Sequence, residues 1–255
     1  MQNGVVISDL HMFARRSGAH RVLEKLYREM ERADIAVLNG DIFDFRWTTL
    51  PTVSQTVEEA VGWLTKIARR HPHCQIHFVA GNHDCHRTFL ETLHRRCRDV
   101  ENLHAHEHHL CLADRLFLHG DVMHHARRPD ALETYRATWI YPRRKWAHLS
   151  LAYDIANNMH LPHVVQRMAF TPERTARRVL VHMASFMPET LRKVNHVYLG
   201  HTHQPFTGYV YQGVTFHNTG CAVKRMEFNP LRFQVPRSRP EEVPAWETPA
   251  LASGF

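Results

Sequence analysis

The 255-residue sequence lacks several features that would restrict its function. None of its apolar runs approaches the roughly 20 residues that a membrane-spanning helix needs, so we expect no transmembrane segment. The N-terminal residues show no basic stretch followed by an apolar one, which argues against a secretory signal peptide. The five cysteines are odd in number and show no C-x-x-C spacing, so a disulfide framework is not indicated. We therefore expect a reduced, cytoplasmic protein.

Composition and charge leave several classes of globular protein open. With 44% hydrophobic residues the chain can bury a sizeable core, and its length suits one α/β domain with an insertion. The formal net charge of +7, together with 23 histidines, suits anionic partners such as phosphorylated metabolites, nucleic acid or an acidic membrane surface. Charge alone does not choose among these partners.

Four short, nearly continuous apolar runs each lead into a residue that can bind metal. This pattern is typical of strands that are buried on both faces, and active sites in α/β proteins lie at the carboxyl ends of such strands. The four runs cover residues 5–8, 35–38, 76–79 and 196–199. Apolar residues at helical spacing predict helices at residues 18–33, 54–70 and 87–97. This alternation of strands and helices indicates α/β layering.

Five short segments, far apart in the chain, combine metal-binding side chains with glycine or aspartate. They read Asp9-Leu10-His11, Gly40-Asp41-Ile42-Phe43-Asp44, Gly81-Asn82-His83-Asp84, His119-Gly120-Asp121 and Gly200-His201-Thr202-His203. Each alone is as easily a turn or loop. Together they supply the carboxylate, imidazole and amide ligands of a two-metal site that attacks a phosphate ester. In Asp9/His11 and His201/His203, the i, i+2 spacing predicts side chains on the same side of a strand end.

These five segments resemble the motifs of the calcineurin-like metallophosphoesterases, over roughly residues 4–121 and 196–220. The resemblance implies a four-layer αββα sandwich, in which two mixed β-sheets are flanked by helices, with an inserted helical cap. It also implies two divalent metal ions per chain. Mn²⁺ is the first expectation for them, and Fe²⁺ or Zn²⁺ also suits mixed Asp, Asn and His ligands.

The same resemblance gives each matching residue an expected role. Seven residues are expected to hold the two ions: Asp9, His11, Asp41, Asn82, His119, His201 and His203. Asp41 is expected to bridge the ions. His83 corresponds to the catalytic histidine, which contacts the phosphate and protonates the leaving oxygen. Asp84 is expected to orient His83, and Asp44 to support the site without binding metal.

Residues 122–195 interrupt the alternation of strands and helices. The segment is mainly helical in pattern and holds 10 arginines and 2 lysines against 5 acidic residues, so it is strongly basic. We interpret it as an inserted helical cap within a phosphoesterase domain of residues 1–235. The proline-rich residues 236–255 are expected to form an irregular or disordered tail.

The basic cap is expected to determine which substrate is bound, because the metal centre interacts only with the phosphoryl group of the substrate. Arg127, Arg128 and Arg136 are candidates for binding a substrate phosphate. The aromatic residues among these arginines fit either the inner face of a membrane, to which the protein would bind peripherally, or packing on the core. The oligomeric state is not indicated by the sequence.

The UDP-2,3-diacylglucosamine pyrophosphohydrolases are the subgroup that this chain resembles in its Arg-rich cap and in the residues after Gly200. That subgroup typically carries arginine where this chain has His83. The leading expectation is therefore a lipid- or nucleotide-linked diphosphate, or another phosphorylated small molecule, cleaved at a phosphoester or pyrophosphate bond. The first alternative is a UDP-2,3-diacylglucosamine diphosphatase proper. The second is a nuclease or nucleic-acid-binding phosphodiesterase, which no accompanying nucleic-acid-binding motif supports, and the third is a non-catalytic scaffold.

Overall fold

Two five-stranded β-sheets form the centre of the molecule. The computed structural model describes residues 1–124, 131–139, 170–224 and 226–237. The first sheet has the strand order β10-β1-β2-β3-β4. Its strands are β1 Gln2–Ile7, β2 Ile35–Asn39, β3 Gln75–Val79, β4 Leu103–His106 and β10 Leu231–Val235. Strands β1 to β4 run parallel, and β10 pairs antiparallel with β1 at the edge.

The second sheet is also mixed, with the strand order β5-β6-β7-β9-β8. Its strands are β5 His109–Leu112, β6 Arg115–Leu118, β7 His196–Leu199, β8 Phe206–Tyr211 and β9 Val214–Asn218. Strands β6, β7 and β9 are parallel, and hairpins add the antiparallel strands β5 and β8 at the two edges. The connections between consecutive strands from β1 to β4, and between β6 and β7, are crossovers that contain helices, whereas the parallel strands β7 and β9 are connected through β8.

Helices cover the outer face of each sheet. Helices α1 Leu23–Met30, α2 Val53–Arg70 and α3 Arg87–Cys97 contribute to the core of the first sheet. Helices α4 Ala131–Ala137, α5 Pro172–Phe186 and α6 Pro188–Lys193 follow later in the chain. Short 3-10 turns lie at Ala19–Arg21 and Asp121–His124. Among the described helices, none is long and apolar enough to cross a membrane.

Three apolar layers hold these elements together, and the alternation of side chains along β1 shows how. Val5 and Ile7 lie in the layer beneath α1 to α3, whereas Val6 lies in a second layer between the two sheets. Phe117 and Tyr198 of the second sheet also belong to this middle layer, where their rings stack at 4.9 Å. A third layer lies between the second sheet and α5. The predicted four-layer sandwich of two mixed sheets is therefore confirmed.

The buried side chain of Asn39 ties the two sheets together at the carboxyl end of β2. Its Nδ2 donates hydrogen bonds to the carbonyl oxygens of Leu118, at 3.1 Å, and Tyr198, at 3.0 Å. These carbonyls lie at or near the ends of β6 and β7, so one amide group joins three strand ends. The residues that follow these strands consequently meet at one edge of the sandwich.

The structure places part of the predicted cap within the sandwich. Ala176, Val179 and Met183 of α5 are fully buried in the core of the second sheet. The amphipathic pattern of α5 thus serves as the outer layer on that side. Residues 125–130 and 140–169 of the predicted cap, and 238–255 of the predicted tail, lie outside the described residues, so their roles stay predictions.

Strand β4 is the element that the sequence patterns missed. The sequence Leu103-His104-Ala105-His106 has only two apolar residues, and its histidines hide the strand alternation. The strand pairs in parallel with β3, and His77 stacks on His104 with ring centroids 4.7 Å apart. Burial of these imidazoles lowers the pKa of His77 well below its usual value, which favours neutral, stacked rings.

Candidate metal centre

The metal-ligand segments lie just beyond strand ends, and their backbone is left-handed. The φ angles are 54° at Asp9, 46° at His11, 52° at Asp41, 64° at His201 and 56° at His203. Side chains two residues apart are therefore presented by a tight turn that follows the strand end, and not by the alternation of the strand itself. Non-glycine residues rarely adopt this conformation, because it costs of order 1 kcal/mol or more for each residue. Residues in this conformation are found mostly at functional sites.

Backbone hydrogen bonds fasten these turns to one another. The N–H of Asp9 donates to the Gly40 carbonyl at 3.0 Å, and the N–H of His11 donates to the Asp41 carbonyl at 2.9 Å. In the second sheet, the N–H of Gly200 donates to the His119 carbonyl at 2.9 Å. The turns therefore support each other, and the strained backbone is held in place from several sides.

Two of the motif glycines are required because carboxylates pack directly against their backbone. A Cβ atom at Gly200 would lie 2.2 Å from Asp9 Oδ2, and one at Gly81 would lie 2.3 Å from Asp41 Oδ1. Such distances are far inside van der Waals contact. Any side chain at these positions would displace Asp9 or Asp41.

The ligand atoms converge around Asp41. His119 Nε2 lies 3.1 Å from Asp41 Oδ2, and His11 Nε2 lies 4.0 Å from the same oxygen. His203 Nε2 lies 3.2 Å from Asp9 Oδ1 and 3.2 Å from His11 Nε2. The donor atoms of Asp41, His119 and His201 form one compact group within 4.8 Å of one another. Asp41 thus stands between two sets of donors, as a bridging carboxylate must.

Orphaned polar atoms test whether this donor set suits metal ions. Asn82 Oδ1 is buried without a hydrogen-bond partner among the described residues, and the buried His119 Nε2 has the Asp41 carboxylate 3.1 Å away as its neighbour. A buried polar atom without a partner costs about 1–3 kcal/mol. Divalent ions that accept mixed oxygen and nitrogen ligands are the partners that these atoms fit. The predicted carboxylate and imidazole ligands thus lie close together, and Asn82 offers an acceptor without a partner.

The electrostatics of the centre keep Asp41 ionised. Burial alone would raise the pKa of Asp41, but the neighbouring His119 and His83 hold it well below its usual value. Burial opposes a charge on His119, yet the Asp41 carboxylate raises the pKa of His119 to about 10. Burial and His119 together lower the pKa of His201 to about 3. The centre therefore presents ionised carboxylates and imidazoles of different basicity to a bound cation.

Asp44, rather than Asp84, is the carboxylate beside the catalytic candidate His83. The His83 ring is 7% exposed, its Nδ1 lies 3.0 Å from Asp44 Oδ1 and its Nε2 lies 4.0 Å from Asp41 Oδ2. The Nδ1 contact is close but poorly aligned for a hydrogen bond. The predicted orienting role of Asp84 toward His83 is wrong, because Asp84 faces other groups.

The buried Asp84 carboxylate holds two motif turns together. It accepts hydrogen bonds from the N–H groups of Ile42 and Gly81, both at 2.7 Å, and from that of Phe43 at 3.3 Å. Burial and the nearby Asp41 raise the pKa of Asp84 to about 7. Asp84 consequently positions the turns that carry Asp41 and Asn82.

Arg136 does not face a substrate, which corrects its predicted role. The side chain is 4% exposed, and its guanidinium donates to both carboxylate oxygens of Asp121 at 2.7 and 3.2 Å. It also donates to the carbonyl oxygens of Ala80, at 2.9 Å, and Glu107, at 2.6 Å. Arg136 thus anchors α4 beside the metal centre. Arg127 and Arg128 lie outside the described residues and stay predictions.

Two residues near the centre were missed by the sequence patterns. His124 lies beside the centre, with its Nε2 2.7 Å from His201 Nε2. Cys221 is fully buried, and its sulfur lies with the ring nitrogens of His11 and His203 in one group within 4.8 Å. The short spacing between His119 and His124 could have indicated that His124 lies near the centre. No spacing rule links Cys221 to His11, 210 positions earlier, or to His203, 18 positions earlier.

The carboxylate and imidazole donors around Asp41 suit a metal-dependent phosphoesterase. The family model described as calcineurin-like phosphoesterase matches residues 5–205, which contain all five motif segments. The chain belongs to this family and is a phosphoester hydrolase.

Comparisons with individual proteins add two distant structural neighbours. The phosphopantetheinyl hydrolase PptH of Mycobacterium tuberculosis is 13% identical, with a TM-score of 0.41 and coverage of 86% of this chain and 90% of that one. A dimetal phosphatase from Danio rerio is 10% identical, with a TM-score of 0.47 and coverage of 92% of this chain and 99% of that one. The search among curated proteins finds no match.

Replacement of Arg136 tests its assignment as an anchor. We expect Arg136→Ala to lower the free energy of unfolding by about 3–5 kcal/mol, because it leaves the Asp121 carboxylate buried without its partner. Urea unfolding of the purified variant measures this effect. The exposed Arg178→Ala is the control and should change stability by less than about 0.5 kcal/mol. A stable Arg136→Ala variant with only a raised KM would return Arg136 to substrate binding.

Proposed function

We propose that the enzyme binds two divalent ions through Asp9, His11, Asp41, Asn82, His119, His201 and His203, and hydrolyses a lipid- or nucleotide-linked diphosphate. The observation that carries the proposal is the position of Asp41 Oδ2, 3.1 Å from His119 Nε2 and 4.0 Å from His11 Nε2. When bound, the ions would supply the Lewis-acid chemistry that polarises a phosphoryl group and activates water. The remaining steps depend on the side chains around them.

His83 is proposed as the residue that handles the leaving oxygen. Its backbone N–H donates to Asp41 Oδ1 at 2.8 Å, which fixes the ring beside the bridging carboxylate. Burial lowers the pKa of His83, while the carboxylates of Asp44 and Asp41 act in the opposite direction. Asp44 thereby helps the ring to carry a second proton. The proton on Nε2 can then pass to the leaving oxygen, as general acid catalysis requires.

The substrate part of the proposal rests on the surroundings of His83. The Trp139 indole lies with its ring centroid 4.6 Å from that of His83, and the Arg46 guanidinium carbon lies 4.5 Å from the same indole. A half-buried aromatic ring next to the reacting centre suits a substrate with a flat or apolar group beyond its phosphates. This favours a nucleotide- or lipid-linked diphosphate over inorganic pyrophosphate.

Several finer points remain proposals. UDP-2,3-diacylglucosamine is the specific candidate substrate, although His83 departs from the arginine typical of that subgroup. Mn²⁺ is the first candidate metal. We also propose a cytoplasmic location with contact to the inner face of a membrane, and the basic composition of residues 122–195 supports that contact. A nuclease activity is the alternative, since the same metal chemistry would cleave nucleic acid.

A substrate panel with Mn²⁺ tests the proposed reaction. It compares p-nitrophenyl phosphate, its bis ester, nucleoside-diphosphate sugars, UDP-2,3-diacylglucosamine and single-stranded DNA. We expect the diphosphates to give the highest kcat/KM, and Asp41→Asn to lose turnover of all substrates because it removes the bridging charge. The exposed Asp99→Asn is the matched control and should keep wild-type rates. Preference for DNA would favour the nuclease alternative, and full activity of Asp41→Asn would overturn the proposed centre.

Substitution of His83 separates its chemical role from metal binding. We expect His83→Ala to retain both ions but to lower kcat by about 10²–10⁴-fold, the usual contribution of a general acid. Metal analysis by mass spectrometry and steady-state kinetics measure the two effects. His86→Ala, a half-buried histidine that stacks on Phe45, is the control. An unchanged kcat in His83→Ala would remove the residue from the mechanism.

A further inference from the structure

A buried cysteine faces two of the proposed metal ligands. Cys221 lies three residues after β9, and its side chain is completely inaccessible to solvent. Its sulfur and the ring nitrogens of His11 and His203 lie within 4.8 Å of one another. Donor atoms that share one zinc ion at about 2.0–2.3 Å are separated by roughly twice that distance at most. The separations of these three atoms are at most 4.8 Å, which is about the reach of one shared ion.

The backbone holds Cys221 in this position through the turn that carries Asp9. The N–H of Ala222 donates to the carbonyl oxygen of Asp9 at 3.0 Å, and the N–H of Gly18 donates to the carbonyl oxygen of Ala222 at 2.7 Å. The N–H of Cys221 itself donates to the Glu227 carbonyl at 2.9 Å. The cysteine and the Asp9 turn are therefore parts of one rigid unit.

Hydrogen bonding distinguishes Cys221 from two other buried cysteines. The thiols of Cys85 and Cys74 donate to the carbonyl oxygens of Asn82, at 3.4 Å, and Gln75, at 4.0 Å. The Cys221 sulfur instead accepts a hydrogen bond from the N–H of Val223 at 3.3 Å. An N–H donor favours a sulfur that carries negative charge, which is the form that binds metal.

We propose that Cys221 is a sulfur ligand of the ion that Asp9, His11 and His203 hold. The proposal rests on the dinuclear centre described above and adds a soft ligand to one half of it. On binding, the thiol loses its proton to solvent as the metal–sulfur bond forms. Thiolate favours Zn²⁺ and other thiophilic ions over Mn²⁺, so the two ions of the centre are expected to differ in preference.

X-ray absorption spectroscopy of the zinc-loaded wild-type protein tests the proposal without any substitution. We expect a sulfur neighbour at about 2.3 Å beside nitrogen and oxygen neighbours at about 2.0–2.2 Å. Two bound ions without a sulfur neighbour would overturn the role of Cys221 and leave the dinuclear centre intact. Absence of bound metal would overturn both.

A matched pair of variants provides the second measurement. In cobalt-loaded protein we expect a sulfur-to-metal charge-transfer absorption that is lost in Cys221→Ser and kept in Cys74→Ser, an equally buried thiol far from the metal ligands. The zinc affinity of Cys221→Ser should fall by at least about 10–100-fold, which is the loss that follows removal of a supporting contact to a metal ligand. Mn²⁺ affinity should change less. Retention of the absorption in Cys221→Ser, or equal losses for both metals, would contradict the proposal.

Discussion

The structure depends on one buried carboxylate, that of Asp41, held among imidazoles where two sheets meet. Its Oδ2 lies 3.1 Å from His119, which the second sheet supplies, while its Oδ1 accepts the N–H of His83 from the first. A charge buried this deeply is tolerated only when it is paired and hydrogen-bonded. Neighbouring histidines supply that compensation, and the left-handed turns place Asp41 and these histidines next to one another.

Several strained or unsatisfied features of the centre share this explanation. Left-handed φ angles at Asp9 and Asp41, and the unpaired Oδ1 of Asn82, each cost stability in a buried position. The sandwich offsets these costs with three apolar layers and with polar anchors that the reaction does not use, such as Asn39, Asp84 and Arg136. These anchors hold the turns that present the candidate metal ligands.

Much of this arrangement could be predicted from the sequence, because short strands leading into glycine and metal-binding residues mark an active-site edge. The αββα sandwich was predicted correctly. The structure also brings Asp9, His11, Asp41, His119, His201 and His203 together, and their role as metal ligands stays a prediction. The long-range contacts could not be predicted, because no local sequence pattern links Asp44 to His83, Arg136 to Asp121 or Cys221 to His11. Strand β4 was hidden by its histidines. The extent of the cap was overestimated because α5 has the same helical pattern whether it caps a site or covers a sheet.

The most direct test of the central claim is anomalous X-ray diffraction from crystals of the protein loaded with Mn²⁺ or Zn²⁺. The account predicts two peaks about 3.5–4 Å apart with the Asp41 carboxylate between them, one beside His11 and His203 and the other beside His119 and His201. A single peak, or two peaks that do not share Asp41, would contradict it.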